Sequence, residues 1–248
     1  MADLAEGELW RAWSSADGRE QVCYAGRPGG REWIVSDEIV FAADRRRAEV
    51  TRRPIAMDDQ LVWLSYPVDE YLVCRVLRAK GALVLHACSI VVDGLAYVFL
   101  GHSGAGKSTM AEQAELGGAL VLSDDRTIIE LTERGAVAWG TPWHGSFSRG
   151  EPGGAPIAAL FVLHQSAGDR AEPLAHAAAT AELFVRQIDP STDATEVAGS
   201  LDIVIELVER VPVGALHFLP TAHAVEVARS WAISQPVRRP LDTVGGRP

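Results

Sequence analysis

The sequence predicts an α/β fold preceded by a small β-rich N-terminal part, and three observations support this prediction. Residues 101–109, GHSGAGKST, match the pattern G-x-x-x-x-G-K-[ST] of a phosphate-binding loop. An apolar, strand-like run lies directly before the loop at residues 95–100, and a helix-like run follows at residues 108–116. Strand-like and helix-like segments continue to about residue 232, whereas residues 1–67 contain short strand-like segments.

The composition is that of a globular protein whose main partner is neither nucleic acid nor an anionic membrane. The 248 residues are 48% hydrophobic and 7% aromatic, which is enough for a substantial core. The net charge of −10 opposes binding to a nucleic-acid backbone or an anionic membrane surface. The basic concentration at residues 45–47 and 52–53 is either a solvated strand face or a docking patch.

The cysteines and the N-terminus predict a cytoplasmic location. Cys23, Cys74 and Cys88 are odd in number and lack the spacing of metal ligands, which suits a reducing compartment. Residues 1–8 are acidic and lack the apolar run of a signal peptide. We find no segment that approaches the roughly 20 apolar residues of a membrane span.

Residues 1–67 are predicted to form a β-rich region that packs on the phosphate-loop core. Strand-like segments occur at residues 32–35, 38–41 and 60–64, and residues 36–37 are among the turn-forming residues between them. We find no candidate for catalysis in this region.

The phosphate loop is predicted to follow the second arm of a hairpin. Residues 68–80 have helical periodicity, and residues 82–87 form a strand. Residues 89–100 predict two strands joined by Asp-Gly at residues 93–94, a strong hairpin signal. In many phosphate-loop folds the loop instead follows the first strand of a parallel sheet.

The chain beyond the loop helix is predicted to form more strands and helices around one long irregular segment. Residues 140–154 are rich in turn-forming residues, and an irregular segment of this length is uncommon unless it is functional. The predicted phosphate-loop domain spans residues 68–233. Its remaining elements are strands at residues 118–122, 127–131, 136–139, 158–163 and 214–219 and helices at residues 174–188, 194–209 and 222–232, with a flexible tail from residue 234.

The loop motif predicts that the protein binds ATP with Mg²⁺. Its glycines let backbone N–H groups point at phosphate oxygens, and the N-terminus of the following helix favours an anion. Lys107 is expected to reach the β- and γ-phosphates, and the Ser108 hydroxyl is expected to bind Mg²⁺. The predicted nucleotide-binding residues are Gly101, Ser103, Gly104, Ala105, Gly106, Lys107, Ser108 and Thr109.

Asp124 and Asp125 are the main candidates for metal binding and catalysis outside the loop. They follow an apolar strand, where a second acidic motif would meet Mg²⁺ beside a phosphate loop. One carboxylate can hold Mg²⁺ while the other accepts the proton of an incoming hydroxyl, although a polar turn is an alternative.

Four further residues are weaker candidates. His86 lies in an apolar strand and is either a core residue or part of the site. Trp143 and His144 lie in the turn-rich segment, where they can line an acceptor site or only fold the loop. Arg149 is a candidate for neutralising charge in the transition state.

Residues 85–108, LHACSIVVDGLAYVFLGHSGAGKS, and residues 118–126, GALVLSDDR, resemble the C-terminal domain of the HPr serine kinase/phosphorylase family and its smaller relatives. In that family a histidine precedes the phosphate loop and an aspartate pair follows the loop helix, in the places of His86 and Asp124-Asp125. A hairpin before the loop is also a feature of that fold, which is similar to the nucleotide-binding part of phosphoenolpyruvate carboxykinase.

The resemblance implies a role for each matching residue. Asp125 would accept the proton of a serine hydroxyl, Asp124 would lie at the metal, and His86 would support both carboxylates. Lys107 would bind the transferred phosphoryl group, and Ser108 would bind Mg²⁺.

The resemblance also implies a peptide or protein acceptor. Bacterial HPr kinases carry acidic residues where this chain has His102 and Thr109. Smaller relatives occur in gene clusters for ribosomally made peptides, including lasso peptides, and some phosphorylate a serine of the precursor. The predicted function is therefore transfer of the ATP γ-phosphoryl group to a serine of a peptide or protein, for which a lasso-type precursor is one candidate. A small-molecule kinase and a non-catalytic ATP-sensing module are the alternatives, and a homo-oligomer is left open.

Overall fold

The computed structural model describes residues 10–14, 20–25, 33–41, 48–52, 68–133, 135–147, 150–189 and 194–236. The elements in chain order are β1 (Trp10–Ser14), β2 (Glu20–Ala25), β3 (Trp33–Phe41), β4 (Ala48–Arg52), α1 (Val68–Arg78), β5 (Ala82–Val92), β6 (Leu95–Leu100), α2 (Lys107–Leu116), β7 (Leu120–Ser123), β8 (Arg126–Thr132), β9 (Gly135–Trp139), β10 (Gly154–Gln165), β11 (Arg170–Pro173), α3 (His176–Phe184), α4 (Ala194–Arg210), β12 (Val213–Phe218) and α5 (His223–Ser234). This mixture of strands and helices confirms the predicted α/β class.

Two compact units divide the chain. One contains the described residues up to Lys80 together with Asp189–Ala198, and the other contains Gly81–Ile188 and the described residues from Gly199 onward. The first unit holds α1 and an antiparallel sheet in the order β1-β2-β3-β4. The predicted domain boundary after residue 67 stays a prediction.

Strand β3 corrects the predicted break at residues 36–37. The strand is continuous, but Asp37 and Val35 pair with consecutive residues of β2, so that Ser36 is an extra residue. A β-bulge accommodates one extra residue without ending a strand. The turn-forming side chains here therefore mark a bulge. The predicted strand at residues 60–64, the arginines at residues 45–47 and the tail from residue 237 lie outside the described residues.

The second unit is built on a mixed sheet in the order β11-β12-β10-β6-β5-β8-β9, with β7 beside β5. Strand β6 pairs antiparallel with β5 and parallel with β10, and β10 pairs parallel with β12. Asp93 and Gly94 join β5 to β6 with φ angles of 52° and 76°, as a tight hairpin turn requires. This confirms the predicted hairpin before the loop.

Two apolar clusters cover the two faces of this mixed sheet. Alternate residues of β6 belong to opposite clusters, Val98 and Leu100 to one and Tyr97 and Phe99 to the other. Helices α3 and α4 contribute to the Val98 cluster, and helices α2 and α5 contribute to the Tyr97 cluster. Because both faces are covered, β6 is apolar throughout, with no alternation between apolar and polar residues.

Two predictions in this unit were wrong in extent, and one strand was missed. The strand predicted at residues 82–87 and the first arm of the hairpin are one strand, β5. The helix predicted at residues 174–188 is confined to α3, and Arg186 and Ile188 instead exchange backbone hydrogen bonds of 2.8 Å with His86 and Val84 of β5. The edge strand β11, which pairs antiparallel with β12, was not predicted.

The remaining predicted elements are confirmed with shifts at their ends: α1, α2, β7, the β8–β9 hairpin, β10, α4, β12 and α5. Over the part of the chain that the structure describes, each helix is too short or too polar to cross a membrane.

Candidate phosphate-binding and catalytic site

At two positions of the loop between β6 and α2, the backbone has a conformation that only glycine adopts without strain. Gly104 and Gly106 have φ angles of 79° and 105°. A Cβ atom at Gly101 would lie 2.4 Å from the Cβ of Ala105, so the loop folds closely onto its own start. Gly106 is the N-cap of α2 and supplies no side-chain cap, which leaves N–H groups at the helix start for an anion.

Lys107 is folded back onto this loop. Its side chain is buried, and its Nζ donates hydrogen bonds to the carbonyl oxygens of Gly101 at 3.0 Å and His102 at 3.3 Å. Burial lowers the pKa of Lys107, and the charge of Asp125 acts in the opposite direction. A phosphate that binds the Lys107 ammonium group would therefore replace these two backbone carbonyls as its hydrogen-bond acceptors.

The aspartate pair lies on a turn that Ser123 fixes. The Ser123 hydroxyl donates to the Arg126 carbonyl at 2.6 Å and accepts from the Arg126 N–H at 3.2 Å. The N–H of Ala87 in β5 donates to the Asp125 carbonyl at 2.9 Å. These bonds hold the backbone of Asp124 and Asp125 against the strand that carries His86.

Asp125 and His86 come together in this arrangement. His86 Nε2 lies 3.1 Å from Asp125 Oδ1, and Arg126 forms an ion pair with Asp125 Oδ2. The hydrogen bond from His86 lowers the pKa of Asp125, assisted by the charges of Arg126 and Lys107 and opposed by burial. The Asp125 carboxylate is therefore ionised and oriented, as an acceptor of a proton has to be.

Asp124 faces a different neighbour, the segment of residues 145–147. Its carboxylate is 1% exposed and accepts the N–H of Gly145 on Oδ1 at 2.9 Å and the N–H of Phe147 on Oδ2 at 3.0 Å. The hydroxyl of Ser146, between these two residues, lies 2.9 Å from the Ser108 hydroxyl. That Asp124 contacts a metal directly stays a prediction.

A cavity of about 380 Å³ opens beside the start of the loop. Its volume is in the range of small-molecule sites. The residues that line it are His86, Gly101, His102, Asp125, Arg126, Val185, Arg186, Gln187 and Ile188.

Arg126, His86 and Arg186 line this cavity from three neighbouring backbone segments. His86 is paired with Arg126 of β8 on one side, and its N–H donates to the Arg186 carbonyl on the other. Side chains at such paired positions lie on the same face of a sheet. Although the chain has a net charge of −10, this face presents two arginines, of which Arg126 forms an ion pair with Asp125 and Arg186 forms one with Glu182. An anionic group that enters the cavity would meet these two guanidinium groups beside the Asp125 carboxylate.

Sequence reasoning missed Arg186 as a site residue because the predicted helix at residues 174–188 included it. It also missed Ser146, which carries no motif. Of the predicted acceptor-site residues, Trp143 is half-buried, and His144 Nδ1 lies 3.8 Å from Asp124 Oδ1. Neither is among the described residues that line the cavity, and Arg149 lies outside the described residues.

The donor atoms near Ser108 fit Mg²⁺. The hydroxyls of Ser108 and Ser146 are hard oxygen donors, and the segment that carries Ser146 is bound to the Asp124 carboxylate. Within the described ranges, we find no group of three or more His, Cys, Asp or Glu side chains placed to hold a metal. Mg²⁺ commonly binds through few protein ligands together with water and substrate phosphates, so this donor set suits Mg²⁺ that arrives with a nucleotide.

The fold and site define a mixed α/β protein in which a glycine-rich loop, a cavity lined by two arginines and an aspartate pair lie together. The family model described as SynChlorMet cassette protein ScmC matches residues 54–218, and the chain belongs to this ScmC family. We find no significant match among curated proteins. The Hpr(Ser) kinase/phosphatase from Coxiella burnetii is similar over 60% of this chain and 96% of that chain, with 11% identity and a TM-score of 0.34.

Proposed function

We propose that this protein is an ATP-dependent kinase that transfers the γ-phosphoryl group to a serine hydroxyl of a peptide or protein. The observation that carries the proposal is the position of Asp125. Its carboxylate lines the same cavity as Gly101 and His102 of the glycine-rich loop, and it is hydrogen-bonded to His86. A carboxylate that orients an acceptor hydroxyl belongs beside the terminal phosphate, at the mouth of such a loop.

In this proposal the loop and the cavity divide the work of binding ATP. The N–H groups of residues 101–108 bind the phosphates, and Lys107 exchanges its carbonyl partners for phosphate oxygens. Arg186 and Arg126 contribute positive charge along the cavity wall. Ser108 and the segment of residues 145–147 hold Mg²⁺, which neutralises phosphate charge when it is bound.

The transfer itself requires an oriented hydroxyl and a proton acceptor. Asp125 takes the proton of the serine hydroxyl, and the serine oxygen forms a bond to the γ-phosphorus. The bond between the γ-phosphorus and the oxygen that bridges to the β-phosphate breaks, and ADP leaves. His86 keeps the Asp125 carboxylate in place, so that the reaction depends on positioning and charge neutralisation more than on new covalent chemistry.

The acceptor is the part of the proposal that rests on the family. The ScmC description names a cassette protein, and we propose that the acceptor is encoded in the same cassette. A ribosomally made precursor peptide with a serine is such an acceptor, and Trp143 and His144 are the side chains that we propose contact it. A cytoplasmic location and assembly into a homo-oligomer stay predictions.

Transfer of label from γ-labelled ATP tests the proposal. With Mg²⁺ and a cassette-encoded peptide, we expect label on a peptide serine and transfer at least about a hundredfold slower when Asp125 is replaced by Asn. Label that moves only to a small hydroxyl compound would keep the mechanism and change the acceptor. ATP that binds without any transfer would favour an ATP-sensing module and contradict the kinase.

A further inference from the structure

The segment of residues 145–147 contacts two residues that precede it by more than 20 positions in the sequence, Asp124 and Ser108. Its two outer N–H groups, from Gly145 and Phe147, donate to the two carboxylate oxygens of Asp124 at 2.9 and 3.0 Å. The side chain between them, Ser146, donates from its hydroxyl to Ser108 Oγ at 2.9 Å. Ser108 lies in the first turn of α2, directly after the glycine-rich loop. The segment therefore presents one hydroxyl to the start of that helix.

The buried carboxylate fixes the path of this segment. Asp124 is 1% exposed, and each of its two carboxylate oxygens accepts one backbone N–H group of the segment. A side chain at Gly145 would be crowded, because a Cβ there would lie 3.0 Å from Asp124 Oδ2 and 3.2 Å from the Cβ of Asp125. Phe147 packs at the edge of the Tyr97 cluster. Ser146 is thus held in place from both sides.

The separation of the two hydroxyls matches the geometry of a magnesium shell. Mg²⁺ prefers an octahedron of oxygens at about 2.0–2.1 Å, in which neighbouring ligands lie roughly 2.9 Å apart. The Ser108 and Ser146 oxygens lie 2.9 Å apart. The two hydroxyls can therefore occupy adjacent positions of one shell with little movement, and phosphate oxygens and water can fill the others.

We propose that Ser146 is a second hydroxyl ligand of the nucleotide-bound Mg²⁺ and that Asp124 is the positioning residue that holds it there. The inference rests on the proposed function, since it requires that the chain bind ATP with Mg²⁺. It assigns to Asp124 an action through the segment of residues 145–147, in place of direct contact with the metal. The hydrogen bond between the two hydroxyls is exchanged for two metal–oxygen bonds when the ion arrives.

Calorimetric titration of ATP, with Mg²⁺ and separately with EDTA, tests the role of Ser146. We expect Ser146→Ala to weaken binding of Mg²⁺·ATP about tenfold or more and to leave binding of metal-free ATP unchanged, since loss of even an outer-shell partner of a metal ligand typically costs about ten- to a hundredfold in metal affinity. Ser146→Thr keeps the hydroxyl, so its affinity for Mg²⁺·ATP should stay close to that of the wild type. Ser230→Ala, at an exposed position of α5, is the matched control.

The combination with Asp124→Asn tests the positioning role. The quantity compared is the gain in ATP affinity that Mg²⁺ produces. If Asp124 acts through Ser146, the double variant Ser146→Ala/Asp124→Asn should lose no more of this gain than Ser146→Ala alone. Additive losses would contradict this and show that Asp124 reaches the metal itself. Unchanged Mg²⁺·ATP binding in Ser146→Ala, with wild-type binding intact, would overturn the inference alone. A wild-type chain that binds no Mg²⁺·ATP would overturn the proposed function and this inference together.

Discussion

The Nε2 atom of His86 lies 3.1 Å from the Oδ1 atom of Asp125. The contact joins β5 to the turn that precedes β8, and the backbone bond from Ala87 to Asp125 keeps the two elements together there. This hydrogen bond is the largest cause of the lowered pKa of Asp125. It keeps the carboxylate ionised and limits its rotation, which are the two properties that a positioned base needs.

Replacing His86 should therefore slow transfer without weakening ATP binding. In His86→Ala, the Asp125 carboxylate loses its orienting partner, and we expect kcat to fall about tenfold or more while the Kd of ATP stays within about twofold. Steady-state kinetics and calorimetry measure the two quantities. His176→Ala, at an exposed position in α3, is the control. A Kd of ATP that rises as much as kcat falls would show that His86 binds nucleotide.

Replacing Arg186 should weaken ATP binding. Its NH1 donates to the Glu182 carbonyl at 2.9 Å and forms an ion pair with the Glu182 carboxylate, so the guanidinium is held at the cavity wall. Hydrogen bonds to charged groups contribute about 1.5–3 kcal/mol, so Arg186→Gln should raise the Kd of ATP roughly tenfold to a hundredfold. Arg170→Gln, at an exposed position of β11, should leave the Kd unchanged. If both variants bind ATP with the same Kd, Arg186 does not contact the nucleotide.

The conformation of Gly106 gives a prediction about stability. Its φ of 105° is unfavourable for other residues, and a Cβ there would lie 2.6 Å from the Phe218 ring. We expect Gly106→Ala to lower the free energy of unfolding by about 2 kcal/mol or more and to abolish ATP binding. Gly168→Ala, where a Cβ meets open space, should change stability by less than about 0.5 kcal/mol. Urea denaturation of both variants measures the difference. Similar midpoints of unfolding for Gly106→Ala and Gly168→Ala would contradict the expectation.

Trp143 should affect the acceptor more than the nucleotide. It is half-buried in the irregular segment that also carries the residues bound to Asp124. If this segment faces the acceptor, Trp143→Ala should raise the KM of the acceptor about tenfold and leave the KM of ATP nearly unchanged. The control is Trp139→Ala in β9, whose indole donates to Glu130 at 2.8 Å. An unchanged acceptor KM in Trp143→Ala would exclude this contact.

The sequence predicts the features whose cause is local. The Asp-Gly pair at residues 93–94 and the glycines of the loop are needed where they stand, because the backbone has positive φ at Asp93, Gly94, Gly104 and Gly106. A motif captures such requirements directly. The aspartate pair also follows from its position after an apolar strand. These local features are enough to place the candidate base beside the loop.

The contacts that depend on distant partners could not be predicted. Arg186 reaches the cavity because its carbonyl takes the N–H of His86, in a strand 100 residues earlier. Ser146 meets Ser108 because Asp124 accepts backbone N–H groups from 21 and 23 residues further along the chain. Backbone donors have no signature in the sequence. For the same reason the short polar strand β11, which is defined by pairing with β12, was missed.

Transfer of label from γ-labelled ATP tests the central claim most directly. The wild-type chain and Asp125→Asn are incubated with Mg²⁺ and cassette-encoded peptides, and ATP binding is measured in parallel by calorimetry. The account predicts label on a peptide serine in the wild type, with transfer at least about a hundredfold slower in Asp125→Asn and ATP binding retained. Transfer at the wild-type rate in Asp125→Asn would contradict the account.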